Sequence, residues 1–307
     1  MVNSLNKSIF KSTSIVASVS VLARINRFRN EYSRRMGLKG NKYLEVNDSK
    51  LAEYNISLNY NSDTLLIFEN GLGAPLESWD YLNLFLKDHY NIIRYNRSGY
   101  GFTQKGLNNA DILEKIIYKH FAHVDRIIFI CHSMGALAAC NVIEHNSFIK
   151  SLTKKIIFID GTEPDLFDLY RQNPKNTGEM IQISVQKSFA GFFGFQWWGM
   201  DKYARRIKYQ PDIQESVRLF ESNPKEIFAA LREYKSIDIS SMKEILVRHD
   251  LDMLIISSFE RKSQQRVLAE GFNIPFYIIQ GSQHYSIIGF PDFAWEVASK
   301  VRSDLEK

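Results

Sequence analysis

Acidic residues are missing from the first 30 positions, where Lys7, Lys11, Arg24, Arg27 and Arg29 stand unopposed. Those five cations equal the whole net charge of +5, because from Glu31 onward the chain carries 34 basic and 34 acidic residues. A body balanced in this way gives no electrostatic reason to expect a nucleic-acid surface. Cysteine is scarce: Cys131 and Cys140 cannot define a disulfide framework, and their spacing suggests neither a metal site nor a redox motif. No run of 18 or more apolar residues occurs, which argues against an ordinary membrane-spanning helix. Walker loops, H-E-x-x-H and calcium loops are also missing. The segment GLGAPL fails as a dinucleotide fingerprint, because Leu76 stands where the third glycine belongs and Pro75 interrupts the turn. Neither a cofactor nor a metal is expected.

What is present is a chain of 307 residues, 45% hydrophobic, long enough for one large domain or a domain with an insertion. At its start, Ile15, Val19, Leu22, Ile25, Phe28, Tyr32 and Met36 recur at spacings of three and four, which predicts an amphipathic helix with the arginines largely on other faces. Residues 1–42 hold nine basic residues and one acid, so this extension is strongly basic and the remaining body mildly acidic. Three uses are open: packing on the body or projecting as a linker, contact with a membrane surface through residues 1–36, or removal as a targeting segment. The expected location is cytoplasmic, with membrane association through this helix as the variation.

Beyond the extension, short apolar runs recur: Thr64–Glu69, Tyr90–Tyr95, Arg126–Cys131, Lys155–Asp160, Met253–Ser257 and Pro275–Gln280. Nearly continuous Ile, Leu, Phe and Val without polar alternation predicts strands buried on both faces. Helix-length segments such as Trp79–Lys87, Ala110–Phe121 and Ala136–His145 separate most of them, predicting an α/β fold with a doubly wound, mostly parallel sheet. Weaker runs at Lys42–Val46 and Leu51–Leu58 fit antiparallel edge strands. The rhythm breaks between Asp160 and Met253, where helical patterns and an aromatic cluster (Phe189, Phe192, Phe193, Phe195, Trp197, Trp198) predict a helical insertion. The expected division is therefore 1–42 extension, 43–162 and 251–307 core, and 163–250 insertion.

The strongest chemical signal is RIIFICHSMGALA, residues 126–138, in which a buried strand runs through His132-Ser133-Met134-Gly135 into an Ala- and Leu-rich helix. That context fits a nucleophile elbow, with the Ser133 hydroxyl exposed above the sheet on a strained turn; Cys131 replaces the first glycine of G-x-S-x-G. A serine nucleophile needs a histidine base. Of seven histidines, only His284 follows the last strand, in a loop expected at the carboxyl edge of the sheet beside Ser133. The orienting carboxylate is ambiguous. Glu260, just past Met253–Ser257, ranks first; Asp160, closing the preceding strand, is the alternative, with Glu163 and Asp165 below both. The expected oxyanion donors are the backbone N–H groups of Met134, after the nucleophile, and of Leu72, in the loop after Thr64–Glu69.

Four segments in order, ENGLGAPLESW (69–79), RYNRSGYGFT (94–103), CHSMGALA (131–138) and GSQHYSIIGFPD (281–292), resemble the motifs of the α/β-hydrolase superfamily. The resemblance covers roughly residues 42–305 and implies a Ser133, acid, His284 triad with a cap at about 163–250. Departures are Cys131 for glycine, Asn96 for the usual aspartate, and Ser257-Ser258 where G-x-x-D is commoner. Dehalogenases and epoxide hydrolases of the superfamily use an aspartate nucleophile, which Ser133 excludes here. The expected activity is cleavage of a small carboxylic ester through an acyl-enzyme, without a cofactor. Two alternatives stay open. One is an aminopeptidase of the prolyl iminopeptidase type, for which Glu215, Glu221 and Glu226 would be the cap carboxylates. The other is a non-catalytic binding protein on the same fold.

Overall fold

A computed structural model describes residues 40–192, 208 and 211–306, together with positions 18, 21–23, 25, 26, 29, 30 and 32, which are helical. The remainder of the basic extension and most of the aromatic cluster, Phe193, Phe195, Trp197 and Trp198 among it, lie outside the described residues.

Eight strands form one sheet: β1 (Lys42–Glu45), β2 (Leu51–Ser57), β3 (Thr64–Glu69), β4 (Asn91–Tyr95), β5 (Arg126–His132), β6 (Thr153–Ile159), β7 (Asp252–Ser258) and β8 (Phe276–Ile279). Their order is β1-β2-β4-β3-β5-β6-β7-β8. The pairs β1/β2 and β2/β4 are antiparallel, and every other neighbouring pair is parallel. The central strands are apolar at nearly every position because each face of the sheet has its own cover. Leu65, Ile67, Phe129, Cys131, Ile156 and Phe158 enter one core, while Leu66, Phe68, Ile128, Ile130, Ile157 and Ile159 enter the other.

The first core is closed by helices α2 (Asn109–His120) and α3 (Gly135–His145), the second by α1 (Asp80–Leu86) and α12 (Pro291–Leu305). The short helix α4 (Ser147–Leu152) leads into β6, and α10 (Lys262–Phe272) and the single turn α11 (Ser286–Gly289) complete the layers. Between β6 and β7 the described residues form five helices: α5 (Pro164–Gln172), α6 (Pro174–Phe192), α7 (Pro211–Ser222), α8 (Pro224–Ser236) and α9 (Ser240–Leu246). Four of the five start on proline, whose fixed φ and missing N–H suit the first helical turn. Asn223 caps α8 by accepting the Lys225 N–H, and Glu163 caps α5 by accepting the Asp165 and Leu166 N–H groups. Among the described residues no helix is long and apolar enough to cross a membrane.

Candidate active site

Three neighbouring strands, β3, β5 and β6, end at one edge of the sheet, and each delivers one part of the site. β5 ends on His132 and turns at Ser133, whose φ of 54° lies in the left-handed region. A serine held there is strained and persists only where the surroundings fix it. Here its N–H donates to Ile159 O at 3.1 Å and its carbonyl accepts the Thr162 N–H at 3.1 Å. Gly135 makes the turn sterically feasible: a Cβ at that position would lie 2.3 Å from Glu69 O and 2.7 Å from Asn70 O. Cys131, where a glycine is usual, is a buried strand residue two positions before Ser133 and packs in the first core.

His284 Nε2 lies 3.1 Å from Ser133 Oγ, and His284 Nδ1 lies 3.0 Å from Asp160 Oδ2. The carboxylate beside the imidazole is thus Asp160 and not Glu260, which ranked first from sequence. The physical reason lies in the backbone. Asp160 closes β6 with a φ of 47°, which turns its side chain into the buried interior, while its N–H is held by Ile256 O at 3.0 Å. Glu260 is exposed on the turn after β7, and its Oε2 accepts the His284 backbone N–H at 2.8 Å, so it holds the loop and not the ring. Glu163 is occupied as a helix cap and Asp165 pairs with Lys243 on the surface.

Ser257-Ser258, a departure from the superfamily pattern, now has a use. The Ser258 N–H donates to Asp160 Oδ1 at 2.7 Å, and the Ser257 hydroxyl lies 3.4 Å from the same oxygen. Burial, the largest influence, pushes the Asp160 carboxyl upward, but hydrogen bonds from His284 and Ser258 outweigh it and hold the group below the ordinary carboxylate range.

The loop after β3 is held by a buried network that the sequence did not announce. Trp79 Nε1 donates to Asn70 Oδ1 at 2.6 Å, and Asn70 Nδ2 donates to Tyr95 O at 3.0 Å. Arg97 takes the carbonyls of Asn70 and Gly71 at 2.6 and 3.3 Å and pairs with Glu69 at 3.2 Å. Its remaining N–H groups meet Glu233 of α8 at 2.5 and 2.9 Å, and Glu233 also accepts the Tyr100 hydroxyl at 2.7 Å. One guanidinium therefore fixes the loop carbonyls and joins the sheet to the inserted helices. Arg97 was visible only as part of RYNRSGYGFT; nothing in the sequence marked Glu233. With those carbonyls engaged, the amide N–H groups of Leu72 and Met134 donate to no acceptor among the described residues. Such unengaged donors suit a developing oxyanion.

These groups open on a cavity of about 570 Å³. Its walls include Leu72, Met180 and Ile227, with Lys187, Glu221 and Glu226 from the inserted helices. Glu215 is not among the residues lining it and pairs with Arg218. Among the described residues no group of three or more His, Cys, Asp or Glu side chains is placed to hold a metal ion.

Solved structures repeat this architecture. The chain is similar to a thermophilic esterase from Thermogutta terrifontis at 15% identity, with a TM-score of 0.63 over 87% of this chain and 98% of that one. It is similar to an enol-lactonase from Burkholderia xenovorans LB400 at 16% identity, with a TM-score of 0.60 over 87% of this chain and 100% of that one. The chain has the α/β-hydrolase fold. A third similar structure, the Cif epoxide hydrolase from Acinetobacter nosocomialis, matches this hydrolase fold at 15% identity with a TM-score of 0.64 over 91% of this chain and 96% of that one. No protein-family model matches the sequence, and no curated protein matches it.

Proposed function

We propose that the chain is a serine hydrolase that cleaves a carboxylic ester of modest size through an acyl-enzyme. The observation that carries this reading is the line Asp160, His284, Ser133, with contacts of 3.0 and 3.1 Å opening on the cavity. Ser133 Oγ attacks the ester carbonyl while His284 Nε2 takes its proton. The Leu72 and Met134 amides receive the oxyanion. His284 then protonates the leaving alcohol and activates water against the acyl-enzyme, and Asp160 orients the ring and offsets its positive charge. No step calls for a cofactor. Esterase and enol-lactonase structures among the similar folds are in keeping with ester chemistry.

The test is labelling by a fluorophosphonate probe together with hydrolysis of p-nitrophenyl butyrate, parent against Ser133→Ala. Labelling and turnover are expected in the parent and lost in the variant. Well-folded parent protein that shows neither would leave the fold as a binding scaffold.

A second reading has one observation in its favour. Glu221 and Glu226 both line the cavity, where a substrate's free amino terminus could meet them. Turnover of amino-acyl arylamides above that of matched p-nitrophenyl esters would favour an aminopeptidase.

A further inference from the structure

We infer that His132, the residue preceding the nucleophile, is a positioning residue that holds both the backbone and the ring of His284; its kinetic consequence rests on the serine-hydrolase reading. Three contacts carry the inference. His132 Nε2 lies 2.8 Å from the His284 carbonyl oxygen. The two imidazoles stack with centroids 4.6 Å apart and planes at 29°. On another side, the His132 ring stands at 87° to Trp79, 6.4 Å away, so it is buttressed and not free to turn aside.

The hydrogen bond also fixes the tautomer. A carbonyl oxygen can only accept, so Nε2 must carry the proton. Burial, reinforced by the charge that His284 can carry, pushes His132 far below the usual histidine range, so its ring stays neutral and Nδ1 stays bare. Gly71 faces Nδ1 at close range, since a Cβ added there would sit 3.2 Å from it. His132 thus fills the gap between the loop after β3 and the loop that carries His284.

This arrangement complements what Asp160 does. Asp160 fixes the Nδ1 edge of His284, whereas His132 fixes the position of its main chain and the plane of its ring. When His284 takes up a proton, the face it meets is that of a neutral ring, where a charged ring would repel it. Position 132 is therefore a poor site for a side chain that lacks either a donor or a flat ring.

Three variants separate the two contacts. His132→Gln keeps an N–H near the carbonyl without a ring, His132→Phe keeps a ring without a donor, and His132→Leu has neither. For p-nitrophenyl butyrate hydrolysis, counted per fluorophosphonate-titrated site, His132→Leu is expected to lose about 10- to 100-fold in kcat with KM within about threefold. Gln and Phe are expected to recover part of that loss. The same protein provides a readout free of turnover: the downfield Nδ1–H proton of His284 in NMR spectra, expected sharp in the parent and broadened in His132→Leu. Folded His132→Leu with kcat within about twofold of the parent and an unchanged imidazole signal would overturn the inference. Should Leu fail to fold, Gln and Phe decide, since a residue that only fills space predicts parent-like kcat and signal in His132→Phe. If the parent neither labels nor turns over, the hydrolase reading fails, yet the NMR comparison still decides whether His132 positions His284.

Discussion

The hydroxyl of Tyr32 donates a 2.7 Å hydrogen bond to Glu226 Oε1, joining the basic N-terminal segment to a helix that lines the cavity around Ser133. Glu226 uses its other oxygen to accept the Gly101 N–H at 3.0 Å. Tyr32 is itself buried in a small apolar cluster with Tyr100, Leu219, Phe220 and Ala229. Of the three uses open for the extension, packing on the body is the one Tyr32 realises at this point.

Tyr32→Phe removes that hydroxyl and, among the described residues, leaves the buried Glu226 Oε1 with only the Lys225 ammonium, 3.7 Å away. A loss of about 1–3 kcal/mol in unfolding free energy is expected, read from the urea midpoint at constant slope. An unchanged midpoint would mean that the contact is replaced by water at no cost, and that the segment is joined to the body only loosely.

Asp160→Asn and Glu260→Gln distinguish the two carboxylates near His284. The amide at 160 can turn its NH₂ toward the imidazole and impose the wrong tautomer, so ester turnover is expected to fall about 10³- to 10⁴-fold. Glu260→Gln keeps an acceptor for the His284 N–H and is expected to stay within about threefold of the parent. Steady-state kcat on p-nitrophenyl butyrate checks both, and the reverse ranking would return the orienting role to Glu260.

The strand pattern was legible because burial in the sheet leaves continuous apolar runs: β3 to β8 stand where the six runs predict them, and β1 and β2 stand at the two weaker runs. Ser133 and His284 were legible for a related reason: each is fixed by its place after one recognisable strand. The carboxylate was not, because the choice depends on a rotation of the chain at Asp160, a positive φ that neighbouring residues do not announce. Arg97 and Glu233 show the same limit at longer range. Their ion pair spans 136 positions, and only the packing of α8 against the sheet edge brings them together. Nothing in the sequence distinguishes His132 beyond its place beside Ser133, although a histidine adjacent to a nucleophile in a buried turn must find a partner for its N–H.

Asn96, where the superfamily pattern has aspartate, faces a carboxylate. Its Nδ2 donates to buried Glu53 at 2.7 Å while its Oδ1 accepts the Leu76 N–H at 3.1 Å. An aspartate would keep the second bond and set two carboxylates against each other at the first. Asn96→Asp is expected to cost about 1–3 kcal/mol at neutral pH. The cost should shrink when Glu53→Gln is added, and a double-mutant cycle in urea measures that coupling.

Glu221 gives a pH signature. Burial, opposed by the nearby Lys187, pushes its carboxyl up to about 7. An acid whose value rises on folding favours the folded state below its ordinary range, and that contribution is lost as pH rises through about 7. Glu221→Gln carries no such penalty. The variant should therefore match the parent near pH 5 and exceed it by about 1–3 kcal/mol at pH 8, measured by urea midpoints across that interval. The same ionisation makes a second expectation for the aminopeptidase reading: preference for substrates with a free ammonium group should strengthen between pH 6 and 7, as the charge on Glu221 develops and while the substrate's α-amino group, with a usual value of about 7.7–8, still holds its proton. A preference that is flat across this window in the parent, with the stability difference present, would separate Glu221 from substrate recognition and leave the ester reading alone.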